Sequence, residues 1–259
     1  MKILFVHPNM PGQYKHLARI YGANPEHTVV FITKPKDVEI PGVHKVEYET
    51  SRDATPLQHR YLINAEKAII QGQEVWRMCK KLRHEEGFIP DIICAHPGWG
   101  DCLYIKDIYP ESTLFSYFEF FYHFHGADVN FDPTLPLSVD DAARIRTKNI
   151  VNLLNLDAAD WGMSPTHWQH SLHPPAYQPK ISVLNDGIDT SVVKPNPEVT
   201  INLQDQGITL KKGDPVVTYV TRNFEHYRGF PQFMKAVKII QEERPDVHIL
   251  AVGADEVDE

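Results

Sequence analysis

Residues 216–229 read VVTYVTRNFEHYRG and run on through FPQFMKAVKIIQEERPDVHILAVG to Gly253. The first half is an apolar run with β-type residues, closed by a polar turn that carries Arg222 and Arg228 and a glycine, Gly229. An amphipathic helix pattern follows, then a second apolar strand pattern. Such a strand–turn–helix can aim fixed cations and backbone N–H groups at a diphosphate. A strand of a parallel sheet buries both faces and needs neighbours. Residues 214–259 therefore read as the opening of a second domain.

The same alternation runs backward through the chain. Strands are predicted at Lys2–His7, His27–Thr33, Val43–Tyr48, Asp91–Ala95, Thr113–Phe118, Trp161–Met163 and Lys180–Leu184. Between them lie a short helix near Gln13–Tyr21 and a long helical period over 57–85, with Leu62, Ala65, Ile69, Val75, Met78 and Leu82 as its apolar positions. Ser138 opens a further helix with Asp141 as its capping-box partner, and Ser164-Pro165 reads as a cap with proline at the first position. Alternation of this kind predicts an α/β protein with a Rossmann-like parallel sheet and helices on both faces. The expected boundaries are a first lobe over 1–190, a connector rich in Pro, Asn, Lys and Asp over 191–213, and an incomplete second lobe over 214–259. The loops after His7, Ala95, Phe118, Leu184 and Val220 should line a cleft at the carboxyl ends of the strands.

Bulk properties narrow the function class. The formal charge of −8 argues against a nucleic-acid partner. Hydrophobic content of 42% and aromatic content of 10% suit a sizeable core. Three cysteines, Cys79, Cys94 and Cys102, show no metal-type spacing and are expected to stay reduced, which places the protein in the cytoplasm. His167, His170 and His173 drift across a helix face too far to share one tetrahedral site, so no metal is expected. Lys80, Lys81 and Arg83 form a small basic patch that reads as a solvated helix face and leaves room for weak contact with the inner face of a membrane.

Several short motifs in order carry a family resemblance. Asp160, Ser164, Lys180-Ile181-Ser182-Val183, Asn185-Asp186-Gly187-Ile188-Asp189, Arg222, Arg228-Gly229 and the run from Pro245 to Gly253 follow the pattern of the family 4 retaining glycosyltransferases. Across 1–150 the match is looser. The resemblance implies a GT-B fold, two Rossmann-like lobes facing each other, with the acceptor held by the first lobe and the nucleotide-sugar donor by the second. It implies transfer of a sugar from a nucleotide-diphosphate sugar to a hydroxyl, with retention, in glycan or polysaccharide biosynthesis. No cofactor is implied beyond the donor substrate, and the acceptor would be a carbohydrate or lipid-linked glycan. Arg222 takes the place of the family's motif arginine and Arg228 that of its lysine, both facing the donor diphosphate beside Gly229. The family's acidic E-x-x-x-x-x-x-x-E motif would lie past residue 259, so this chain alone is expected to be inactive or nearly so. A catalytically silent sugar-binding or partner subunit on the same fold is the alternative, and a nucleotide-sugar epimerase is another enzyme for this scaffold.

Residues in the first lobe complete the candidate site. HPNMPGQY carries no G-x-G-x-x-G, which counts against a dinucleotide-dependent dehydrogenase. Gly12, Gln13 and Tyr14 fit the acceptor loop, with hydrogen-bonding groups and an apolar face. HPGWGD at 96–101 places His96 and Trp99 at the cleft rim, and Asp101 can cap the next helix. In SYFEFFYHFHG at 116–126, the register of the family's histidine holds Glu119. Either this carboxylate replaces the imidazole, or His123 or His125 curls back into the site. Glu119 and His123 are thus the catalytic candidates. The aromatic run around them could be a sugar-stacking wall or plain core.

Overall fold

A computed structural model describes residues 1–127, 129–135 and 137–255; the end of the expected second lobe, 256–259, lies outside them. The chain forms two compact units, Met1–Gly187 and the residues from Ile188 onward.

The first unit is built on one seven-stranded sheet. Its elements are β1 (Lys2–Val6), α1 (Lys15–Gly22), β2 (Thr28–Thr33), β3 (Val43–Glu47), α2 (Ile63–His84), β4 (Ile92–Ala95), α3 (Ile105–Ile108), β5 (Thr113–Tyr117), α4 (Val139–Lys148), α5 (Ile150–Ala158), β6 (Trp161–Ser164), α6 (His167–Leu172) and β7 (Ile181–Val183). The strands are ordered β3-β2-β1-β4-β5-β6-β7, and every neighbouring pair is parallel. β1 buries Leu4 and Val6 in one apolar layer and Ile3 and Phe5 in the other. That is why its sequence is continuously apolar instead of alternating. Strand order reverses between β1 and β4, and the crevice of an open α/β sheet forms at such a reversal.

The long helix turns inward only part of the expected apolar face: Val75 and Leu82 are buried and Met78 packs on the core, joined by Ile70. Ala68, Gln71, Gly72, Val75, Cys79 and Leu82 are buried, while Leu62 and Ile69 are exposed. Backbone contact decides the matter. A Cβ on Gly72 would come within 2.6 Å of the Gly100 carbonyl, and one on Gly100 would collide with the backbone of Ala68. The turn after β4 therefore lies directly on the helix backbone, with small residues at the seam. Asp101 does not cap α3. It is fully buried, where its carboxylate accepts from the Tyr48 hydroxyl and, at 2.6 Å, from the Gln71 amide. A buried carboxylate needs such partners, and they hold the turn between β3 and α2.

Two capping expectations have different outcomes. Ser138 and Asp141 form the reciprocal capping box at the start of α4. At α6 the cap is Thr166, whose hydroxyl accepts from the Gln169 amide at 3.1 Å; Ser164 ends β6, buried. The helix begins only at His167, so the cap falls on Thr166 after the proline, and Ser164 stays in the strand.

In the second unit the stretch read as connector contains an antiparallel ribbon, β8 (Thr200–Leu203) and β9 (Ile208–Lys211), closed through Gly207 at φ +63°. The pairing of Ile201 with Leu210 and Leu203 with Ile208 is too short a pattern to register as periodicity. Then come β10 (Val216–Asn223), α7 (Phe230–Glu243) and β11 (His248–Ala254), with β10 and β11 parallel as anticipated. Among the described residues no helix is long and apolar enough to cross a membrane.

Gly100→Ala should lower stability by about 2–4 kcal/mol, since it combines a left-handed backbone (φ +94°) with a collision against the helix. Gly87→Ala has the same backbone sign (φ +65°) but open space around it, so about 1 kcal/mol is expected. Urea unfolding of the two variants side by side measures the difference.

Candidate functional site

The reversal point gathers ring side chains in one row along the carboxyl edge of the sheet. His7 follows β1, His96 follows β4 and Tyr117 ends β5; these positions lie side by side in the parallel register. The His7 and His96 rings meet edge to face with centroids 5.3 Å apart, and Trp99 lies 5.1 Å from His7 and 4.8 Å from His96.

His96 is buried, and its tautomer is fixed. Its Nδ1 accepts from the Gly98 amide at 3.1 Å, so the ring proton sits on Nε2, which donates to Glu119 Oε2 at 3.2 Å. The loop from Pro97 to Trp99 is a single 3-10 turn, ended by Gly100 in the left-handed conformation. This turn delivers Trp99 to the rim with its ring half exposed.

Beside this pair opens a cleft of about 140 Å³. His96, Gly98, Trp99, Glu119, Tyr122 and Asn152 line it, together with Phe120 and Pro97. The aromatic run after β5 divides by position. Phe118 and Phe121 are buried in the core, while Phe120 and Tyr122 turn to the cleft. Asn149, buried at the junction of α4 and α5, fixes that wall. Its side-chain oxygen accepts from the Tyr122 amide at 2.9 Å and its nitrogen donates to the Tyr122 carbonyl at 2.8 Å. An asparagine here imitates a neighbouring strand. Lys148 covers the other face of Tyr122 at 4.0 Å.

The sequence candidates separate accordingly. His96, Trp99 and Glu119 come together at the cleft. His123 does not reach it, because its Nε2 engages the Leu172 carbonyl at the end of α6, 2.7 Å away. Tyr14 is also turned inward. Instead of offering its ring to a ligand, it packs on Phe5 and Phe31, and burial pushes its phenol well above the usual range. Gly12 is exposed at φ +47° and lies over the His7 ring, which a Cβ would strike at 2.6 Å. Gln13 lies beside them. Neither its Oε1 nor His7 Nε2 completes a hydrogen bond among the described residues. Sequence reasoning missed His7, Asn149 and Asn152. The available signal for His7 was a polar residue closing an apolar strand at the first loop.

The remaining histidines of the suspected array serve the fold. His170 Nε2 lies 3.1 Å from the Gln178 carbonyl and His173 Nδ1 3.0 Å from that of Gln169. Among the described residues no group of three His, Cys, Asp or Glu side chains is placed to hold a metal ion.

In the second unit, Arg222 is exposed one residue before the end of β10, and Arg228 precedes Gly229, which enters α7 at φ +82°. The turn supplies fewer free donors than its sequence suggests. Pro231 has no N–H, the Phe230 amide is directed to the Glu225 carbonyl, and Arg228 is engaged by the buried Glu225 carboxylate at 2.7 Å. Tyr219 donates to the Arg228 carbonyl at 3.0 Å, which sets the turn against the strand.

A parallel α/β sheet with this strand order, and an aromatic and polar cleft beside the carboxyl ends of β4 and β5, defines a Rossmann-like α/β protein. A family model described as the glycosyl transferase family 4 group matches residues 25–193, and the chain belongs to that family. A comparison with curated protein sequences gives no match. Among solved structures, the catalytic domain of starch synthase IV from Arabidopsis thaliana, bound to ADP and acarbose, is similar at 14% identity and a TM-score of 0.55, over 99% of this chain and 69% of that one. The S. aureus MnaA–UDP structure is similar at 14% identity and 0.52, over 98% and 62%. A UDP-GlcNAc 2-epimerase from Methanocaldococcus jannaschii is similar at 10% and 0.50, over 100% and 74%. The chain thus spans under two thirds of the length of MnaA. At these identities the likeness is one of fold, which a synthase and an epimerase both have.

Burial and the neighbouring His96 push the His7 pKa down to about 4. Unfolded, an ordinary histidine binds its proton near 6.5. Between these values the unfolded chain holds more protons, so stability contributed by a neutral His7 is complete above pH 6.5 and drains away toward pH 4, by about 3 kcal/mol in all. His7→Asn keeps an acceptor for the Asn9 amide, which His7 Nδ1 now takes at 2.9 Å. The stability difference between wild type and this variant, measured by urea unfolding from pH 7 to pH 4, should follow that window.

Proposed function

We propose that the protein takes part in transfer of a sugar from a nucleotide-diphosphate donor to a hydroxyl of a carbohydrate or lipid-linked glycan, with retention of configuration. The observation that carries this reading is the cleft between the turn after β4, the segment after β5 and α5, in a chain of the glycosyl transferase family 4 group. Its volume suits a single sugar ring. Trp99 and Tyr122 offer aromatic faces to the apolar side of such a ring, and Asn152 and Glu119 offer polar groups to its hydroxyls. In this reading Glu119, held by His96 Nε2–H, orients the attacking hydroxyl, and its hydrogen bond to His96 supports that role.

The donor's diphosphate is assigned to the turn after β10. Starch synthase IV and MnaA are described with ADP and UDP, and a nucleoside diphosphate needs cations where its charge grows on leaving. Arg222 and Arg228 supply two guanidinium groups, each able to form paired hydrogen bonds with a phosphate. For retention, the hydroxyl attacks from the face the diphosphate leaves, and a departing phosphate oxygen takes its proton. One observation favours the silent-subunit reading instead: Glu225 already engages Arg228, which leaves less net charge for an anion.

The reading is tested by incubating the protein with a panel of nucleotide-diphosphate sugars and glycan acceptors, with and without EDTA. Nucleoside diphosphate and glycan product are then quantified by mass spectrometry. One donor should be consumed, EDTA should not matter, and Arg222→Ala should lower turnover by about a hundredfold. Trp99→Ala should weaken acceptor binding by about tenfold. Donor binding without turnover would support the silent subunit, and a donor returned with an inverted ring carbon would support an epimerase.

A further inference from the structure

Tyr117 and Asp186 form a pair that the proposed transfer does not use directly. Tyr117 is buried at the end of β5, and its hydroxyl donates to both carboxylate oxygens of Asp186, at 3.0 and 2.9 Å. Burial, then the Asp186 bond, push this phenol well above its ordinary range, so the hydroxyl keeps its proton and stays a donor. The Tyr117 ring stacks on His96 with centroids 5.3 Å apart and planes 26° apart. His96 in turn is the donor to Glu119 in the cleft. An unbroken line of contacts thus runs from the loop after β7, across the sheet edge, to the carboxylate at the cleft.

We infer that Tyr117 and Asp186 are positioning residues for His96. Their hydrogen bond fixes the phenol ring, and the ring fixes the imidazole plane in which Nδ1 meets the Gly98 amide and Nε2–H meets Glu119, so a tilted imidazole loses the bond that selects its tautomer. A phenylalanine at 117 would stack as well, but nothing would stop it tilting. A hydroxyl anchored to a carboxylate on a different element removes that freedom, and a charge-assisted bond is the strong kind. His7 and Trp99 meet the imidazole only at an angle, at 72° and 40°. Among the described residues the near-parallel ring partner of His96 is Tyr117. The loop that carries Asp186 is shaped for this. Asn185 accepts from the Gly187 amide at 2.9 Å, and Gly187 takes φ +70°. Gly187 is also the last residue of the first unit. The backbone at the junction of the two units is consequently linked to the cleft imidazole through two side chains.

The relevance of this line to catalysis rests on the transfer reading; the positioning itself does not. Long-range proton–nitrogen spectra of histidine-labelled protein, taken at about pH 8, well above the ordinary imidazole range, report the tautomer directly. The His96 signal is assigned by its loss in His96→Asn. Wild type should show one tautomer, with the proton on Nε2. Tyr117→Phe and Asp186→Ala should each move both His96 nitrogen shifts toward the average of the two tautomers, and the double variant should go no further than either. Asp186→Asn, which keeps an acceptor oxygen, should restore the wild-type signal. A single Nε2–H tautomer in folded Tyr117→Phe would overturn the inference, as would additive effects in the double variant. Tyr117→Phe preserves the ring, so it decides the question if Asp186→Ala does not fold. A displaced His96 signal with unchanged sugar turnover would remove His96 from the chemistry and leave its positioning intact.

Discussion

The structure of the first unit depends on where β1 sits. A fully apolar strand must be covered on both faces and paired on both edges, which puts it inside the sheet. The chain then builds β2 and β3 on one side and β4 to β7 on the other. Connections that leave a strand's carboxyl end in opposite directions cannot fill the space between them, and that space is the crevice. His7 and His96 stand next to each other because of the sheet's order. Their separation in sequence is irrelevant to it.

What makes the crevice a defined site is the rigidity of its rims. The turn after β4 cannot swing away, because Gly100 rests on the backbone of α2 and Asp101 is tied to Tyr48 and Gln71. The wall after β5 is held by Asn149 at both backbone groups of Tyr122. Asp101 and Asn149 are buried polar side chains with satisfied partners. Loss of one would leave a desolvated polar group, a cost larger than the bond's own net contribution. These polar anchors are therefore part of the fold's integrity.

The parallel sheet, the order of its strands in the chain, the capping box at Ser138 and the meeting of His96, Trp99 and Glu119 could be read from the sequence. These features are local, or follow from strand ends being together. Other features could not. The buried face of α2 depends on a glycine-to-backbone seam, and a hydrophobicity pattern sees Ile69 and Leu62 as better core than Ala68 and Gly72. Asp101 looked like a cap because acidic residues at turns usually are; its partners are 53 and 30 residues away. The β8–β9 ribbon was hidden because four-residue strands with exposed faces carry almost no periodic signal.

The second unit presents its cations under a different constraint. Glu225 is buried, and an unpaired buried carboxylate is costly, so its bond to Arg228 follows from the burial whether or not a phosphate binds. The same bond spreads the Arg228 guanidinium over Tyr227, at 4.9 Å from the ring, and fixes its direction. A cation held in this way gives up some net attraction for an anion and gains preorganisation. It does not have to lose side-chain entropy again when the ligand arrives. Lysine, with its flexible stem and compact charge, could not be held by carboxylate and phenol at once through separate nitrogens of one planar group. Arg228 is thus fixed in position by its own turn, and Arg222 stands exposed near the strand end beside it.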